Sequence, residues 1–136
     1  MAEEPTDVGV PFEGLSRVFA AYPDVELALV FGSVASGRAH AGSDLDVAVF
    51  SASPLTATRK AQLIRELALV TGRPVDLVDL RVSGPAVTLA ALRGKRLVCR
   101  NERAYPALLS RALIDAADFL PLRERTLRER RDAWIR

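Results

Sequence analysis

The sequence predicts an α/β (α+β) domain, a small mixed β-sheet flanked by helices and followed by a helical C-terminal tail. Three observations carry this reading. Short β-branched apolar runs (VELALVF, LDVAVF, VDLVDL, KRLVC) alternate with segments of helical periodicity. The 136 residues are 49% hydrophobic and 26% charged, enough to bury a real core within one domain, residues 1–136. No internal repeat or low-complexity stretch interrupts the pattern.

The elements follow in order. Residues 1–10 read as a flexible leader. From Pro11 to Ala21, Phe12, Leu15, Val18 and Phe19 recur at helical spacing, and Tyr22-Pro23-Asp24 ends that helix with a proline turn. Val25 to Phe31 has the unbroken apolar character of a central strand. Gly32 follows, and Ser33 is placed to cap a short helical turn that Gly37 closes. Asp44 to Phe50 forms the second strand.

Leu63, Ile64, Leu67 and Val70 then share one helical face, with Thr56 near the amino end and Gly72 at the carboxyl end. Pro74 leads into VDLVDL, the third strand. Ser83-Gly84-Pro85 opens a helix through Leu92 that Gly94 ends, and Lys95 to Arg100 is a fourth strand. Residues 102–136 are expected to be helical, interrupted at Pro121.

Composition narrows the function. Cys99 is the single cysteine and sits in an apolar strand, so an intramolecular disulfide is impossible and a reducing compartment fits. The acidic amino-terminal stretch does not resemble a signal peptide, and no run of eighteen apolar residues occurs. A cytoplasmic protein with no membrane contact is therefore expected. The net charge of +2 is unevenly spread: residues 1–92 hold seven Lys/Arg against eleven Asp/Glu, whereas residues 93–136 hold twelve against six.

The chemistry concentrates in VFGSVASGRAHAGSDLDVAVF, residues 30–50. Strand alternation points Asp44 and Asp46 to the same face with Leu45 opposite. Two carboxylates so close repel each other and call for a cation between them. Aspartate oxygens are usual ligands of Mg²⁺, which completes its shell with water and substrate phosphate. Gly32 lets a phosphate approach the backbone, and Ser33 offers a hydroxyl and an amide. The competing reading is a surface turn with capping serines and a solvated Asp46, but the Gly-Ser pair at this spacing, between two apolar strands, favours a metal–nucleotide site.

The pattern Gly32-Ser33, ten residues, Asp44-x-Asp46 resembles the nucleotidyltransferase superfamily that includes DNA polymerase β, and in particular its minimal nucleotidyltransferases (MNT). The resemblance runs from about Phe12 to Arg136. It implies the nucleotidyltransferase fold, with Gly32 and Ser33 on the triphosphate and Asp44 and Asp46 on Mg²⁺. It also implies a third carboxylate on a neighbouring strand, where Asp76 and Asp79 both stand. Alternation puts these two on opposite faces, so only one can join the site; the family position favours Asp76, as metal ligand or as the base that takes a proton from an attacking hydroxyl, and leaves Asp79 as a strand-end cap. The implied reaction is attack of a hydroxyl on the α-phosphorus of ATP with departure of pyrophosphate. Arg38 and His40, in the loop between the motif halves, are read as solvated residues whose role is open.

The minimal nucleotidyltransferases are commonly antitoxins paired with a helical HEPN ribonuclease toxin, and the resemblance implies transfer of AMP to a tyrosine of that partner. Two other readings remain beside it: transfer to a small molecule or RNA end, and an antitoxin acting by occlusion alone. Leu113, Leu120, Leu127 and Trp134 recur every seven residues, as in a helix that packs on another helix, whether in a partner or against this chain's own sheet. Six arginines between Arg123 and Arg136 lack an aromatic platform, which argues against nucleic acid as the partner.

Overall fold

A computed structural model describes residues 11–35, 37 and 43–117. Within them, helix α1 (Phe12–Val18) runs into a 3₁₀ turn (Phe19–Ala21), as the aromatic-apolar spacing requires. Strand β1 (Val25–Phe31) leads into the one-turn helix α2 (Gly32–Ala35), and β2 spans Leu45–Ser51. Helix α3 (Ala57–Thr71) is capped by the Thr56 hydroxyl, which accepts the Arg59 N–H at 3.1 Å, and closes on Gly72 in the left-handed region at φ 67°. Strand β3 (Val75–Asp79), helix α4 (Pro85–Leu92) and strand β4 (Lys95–Cys99) follow, and residues 104–117 form a further helical segment, α5.

The sheet order is β3-β2-β1-β4. Strand β1 pairs antiparallel with both β2 and β4, and β2 pairs parallel with β3 across the α3 crossover. As the central strand, β1 is covered on both faces, which explains its continuous apolar run. On one face Ala28, Val30, Val47, Val49 and Leu77 pack against Leu15, Phe19, Leu63 and Leu67 of α1, the 3₁₀ turn and α3. On the other, Leu27, Leu29 and Ala48 meet Ala91, Leu92, Ala104 and Leu108 of α4 and α5.

Two boundaries beside the site differ from the sequence reading. Strand β2 starts at Leu45, so Asp44 stands one residue outside the ladder, where the Leu45 N–H already bonds the Pro74 carbonyl at 2.8 Å. Helix α2 begins at Gly32, so Ser33 lies inside the turn it was expected to cap, because the positive φ of Gly32 (77°) makes the chain reversal by itself. Cys99 is half-buried and free. In α5, Ala104, Leu108 and Ala112 face the core while Leu113 and Ile114 are 53% and 61% exposed. Leu113 therefore does not cover this chain's own sheet; Leu120, Leu127, Trp134, Pro121, the terminal arginines and the leader lie outside the described residues. No helix among the described residues is long and apolar enough to cross a membrane.

Candidate active site

The carboxyl end of β1 meets the amino ends of β2 and β3, and the chemistry-bearing residues gather there. In the ladder Phe31 lies opposite Asp46, and Asp46 lies opposite Asp76. Partners across a ladder point to the same face, so the Asp46 and Asp76 side chains stand together on the side covered by α4 and α5. Asp44 precedes them at the open edge. Asp79 pairs with Val49 three residues further along β3, and its carboxylate accepts the Arg81 N–H at 3.0 Å as a turn cap. The structure thus brings Asp44, Asp46 and Asp76 to one end and leaves Asp79 at the other.

Gly32 completes the arrangement. A Cβ at this position would run into Oδ2 of Asp46, so only glycine lets the β1–α2 turn lie against that carboxylate. The turn and the acidic pair are therefore built as one unit, with the Ser33 amide and hydroxyl next in the chain.

The electrostatics of the cluster are unfavourable without a ligand. Burial, then the Asp76 charge, then the Asp44 charge push the Asp46 carboxyl above its ordinary value. Among the described residues no group of three or more His, Cys, Asp and Glu side chains is placed to hold a metal ion by itself. Carboxylate oxygens that repel one another suit a hard divalent ion such as Mg²⁺, which keeps water and takes further oxygens from a substrate phosphate. Among the described residues the donor set is all oxygen, which suits a hard cation.

Arg73 escaped the sequence reading. It is 5% exposed, and its Nη1 donates to the Ser43 carbonyl at 3.0 Å, immediately before Asp44. A charged residue in the helix-to-strand turn ahead of VDLVDL was the only sign of it, and an arginine in a turn reads by default as solvated. Arg93 and Lys95 were missed as well; with Phe31, Gly32 and Gly94 they line an open groove of about 270 Å³ beside the site. Arg38 and His40 lie outside the described residues.

With this geometry in place, comparison with known proteins gives a consistent result. A family model described as polymerase beta, nucleotidyltransferase, matches residues 13–103. A Shewanella oneidensis protein named protein adenylyltransferase MntA is 36% identical over 76 residues, a match that spans 55% of each chain, so this chain covers about half the length of that curated relative. Among solved structures, one chain of a toxin–antitoxin complex with AMP-PNP superposes with a TM-score of 0.77 at 22% identity, over 88% of this chain and 98% of that one. A chain from the tri-AMPylated Shewanella oneidensis HEPN toxin in complex with MNT antitoxin gives 0.66 at 19% identity, again over 88% and 98%. At such identities the structural likeness shows the shared fold.

Proposed function

Because the chain belongs to the polymerase β-type nucleotidyltransferase family, we propose that it is a Mg²⁺-dependent protein adenylyltransferase, an antitoxin that transfers AMP from ATP to a tyrosine of a HEPN ribonuclease toxin and so neutralises it. The observation that carries the reading is the pairing of Asp46 with Asp76, closed on one side by Gly32. Its relatives support the choice of acceptor: one is named a protein adenylyltransferase, and another belongs to a complex containing an AMPylated HEPN toxin.

In this reading Asp44, Asp46 and Asp76 would hold the metal, which would supply positive charge to stabilise the phosphoryl group in transfer. Gly32 and Ser33 receive the triphosphate. Asp76, at the exposed edge of the cluster, takes the proton of the attacking tyrosine hydroxyl. The oxygen–phosphorus bond to the acceptor forms as the bond between the α-phosphorus and the β-bridging oxygen breaks, and pyrophosphate leaves. Asp46 stays in place because the β2 ladder and the Gly32 turn both fix it. The setting is cytoplasmic, where ATP and Mg²⁺ are abundant.

Exposed Leu113 and Ile114 add a surface on which a helical partner can pack. The test is intact mass. The chain is co-purified with its HEPN partner, incubated with ATP and Mg²⁺, and compared with Asp44→Asn/Asp46→Asn. A partner heavier by one or more AMP units only with the intact chain supports protein adenylylation. A bound partner of unchanged mass points to occlusion, and nucleotide transfer to RNA or a small molecule in place of the partner selects the other enzymatic reading.

A further inference from the structure

Strand β3 lies at one end of the sheet and, among the described residues, pairs with β2 alone. The Pro74 carbonyl accepts the Leu45 N–H and the Leu80 N–H donates to the Val49 carbonyl, each at 2.8 Å, so the bonding groups of Pro74 and Leu80 face β2. Successive residues of a strand turn their backbone groups to opposite sides. Asp76 and Val78 therefore face β2 as well, and Val75 and Leu77 present N–H and C=O outward. The Asp79 carbonyl is taken by the Val82 and Ser83 N–H groups, which closes this row of backbone groups at its carboxyl end.

Such an edge is a template for another strand, and the sequence VDLVD holds neither the proline nor the lysine that would block one. Its charges are the carboxylates of Asp76 and Asp79. A second copy of β3 would double those carboxylates along one short seam, with no cation in the strand to offset them, which disfavours self-pairing. A segment carrying Lys or Arg has the complementary charge. The edge is also continuous with the candidate active site, because Asp76 belongs to it. At its far end α5 comes alongside: Arg111 donates to the Leu80 carbonyl at 2.8 Å, and Ile114, on the same helical face, is exposed.

We propose that the outer edge of β3 docks the acceptor protein: an extended, basic segment of that protein adds to the sheet as an antiparallel strand and carries its tyrosine opposite Asp76. The inference rests on the adenylyl-transfer reading of the carboxylate site. With Val75 and Leu77 bonding the added strand, the residue opposite Asp76 takes the non-hydrogen-bonded position, where side chains of two strands come closest. It also points to the face shared by Asp46 and Asp76. Neighbouring strands are about 4.8 Å apart, and the acceptor hydroxyl must cross that gap to reach a phosphorus held beside Asp46. A serine hydroxyl ends one bond beyond Cβ and stays over its own strand, whereas a tyrosine hydroxyl lies a phenol ring farther out and spans the gap. Main-chain bonds to Val75 and Leu77 supply affinity, and the alternation of side chains selects which residue of the segment meets the carboxylates.

The test is amide hydrogen exchange, read by mass spectrometry on the full chain alone and with its HEPN partner, in Mg²⁺ and a non-hydrolysable ATP analogue. The Val75 and Leu77 amides are expected to exchange at least about tenfold more slowly with the partner present. Val75→Pro removes one outward donor at the first residue of an edge strand, a place that tolerates proline. It should raise the KM for the partner by about tenfold while leaving the ATP concentration that half-saturates thermal stabilisation within about twofold; Val75→Ala should match the wild type. Melting of the free variants checks that the fold is retained. Unchanged exchange at Val75 and Leu77 in a complex that transfers AMP overturns the docking proposal and leaves the transfer reading standing. So does protection already present in the chain alone, which assigns the edge to a second copy if the chain is dimeric and to another part of this chain if it is monomeric. A wild type that neither binds nor modifies the partner overturns the proposal and the antitoxin reading together.

Discussion

Asp46 and Asp76 face each other across two parallel strands, in register and on the same side of the sheet. A mixed sheet makes this possible: the α3 crossover returns the chain so that β3 runs alongside β2, and the second residue of each strand falls at the same level. Burial first, then this neighbouring charge, raises the Asp46 carboxyl, a repulsion that a cation at the site would relieve.

Replacing Asp46 should therefore separate stability from activity. The folded protein holds the Asp46 proton at pH values where the unfolded chain, with an ordinary value near 3.8, has already lost it. The folded state then binds more protons than the unfolded state, so this group makes stability fall as pH rises through its titration. Asp46→Asn is expected to melt higher than the wild type at neutral pH without Mg²⁺ and nucleotide, and to have a flatter Tm profile on the acid side. Transfer should drop by at least about 100-fold. A variant that melts lower across that pH range would show that the carboxylate is not under repulsion.

Gly32→Ala tests the other half of the unit. Alanine at a φ of 77° costs roughly 1–2 kcal/mol in backbone strain, and its methyl group must displace the Asp46 carboxylate. The expected result is a Tm lower by about 5 °C or more, with Mg²⁺-dependent stabilisation by ATP lost even at temperatures where the variant is folded. Normal ATP stabilisation in the folded variant would mean that the turn can move away without harm to the site.

Much of this was legible in the sequence, for identifiable reasons. Strand alternation alone separates Asp76 from Asp79, and Thr56 and Gly72 mark the ends of α3 through cap chemistry that depends only on neighbouring residues. Arg73, Arg93 and Arg100 were not legible. Each acts through carbonyls or grooves supplied by residues distant in the chain, and nothing in an arginine's local neighbourhood shows where its guanidinium ends. Gly32 was read as a phosphate approach; that the same glycine makes room for Asp46 follows only from the β1–β2 register.

Arg100 illustrates the long-range kind. Its guanidinium donates to the carbonyls of Phe19, Tyr22 and Val25, each at 2.8 Å, and so ties the end of β4 to the turn that precedes β1. Arg100→Met removes all three bonds at the end of β1 opposite the carboxylates. A loss of about 2 kcal/mol is expected, read as a fall in the denaturation midpoint, with ATP affinity unchanged at temperatures well below Tm. Weakened ATP binding in the folded variant would show that this end of the sheet communicates with the site.

Tyr22 offers a signal at the alkaline end. It is buried, its hydroxyl donates to Glu66 at 2.8 Å, and the Arg59 guanidinium lies 4.9 Å from its ring centroid. Burial first, then the hydrogen bond and charge of Glu66, push the phenol up to about 12 from 10.0. The folded state keeps this proton longer, so the contribution is present below pH 10 and is lost as pH rises toward 12. Tyrosinate absorbance during alkaline titration should lose its late component in Tyr22→Phe. An unchanged titration curve would place the Tyr22 hydroxyl in contact with water.

Arg73 makes the last prediction, because it links a buried charge to the start of β2, beside Asp44. Its bond to the Ser43 carbonyl and the bond from the Leu45 N–H to the Pro74 carbonyl hold the start of β2 from both sides of Asp44. Arg73→Met leaves the Ser43 carbonyl without that donor and frees Asp44 to swing. The free protein should lose about 1–3 kcal/mol, and the Mg²⁺ concentration that half-saturates ATP-dependent stabilisation should rise by roughly 10- to 100-fold. Arg73→Lys restores the charge without the fork and should fall between the two. If Tm drops while the Mg²⁺ dependence stays fixed, Arg73 supports the fold alone; a shift in Mg²⁺ dependence shows that the α3–β3 turn positions the first aspartate for the metal.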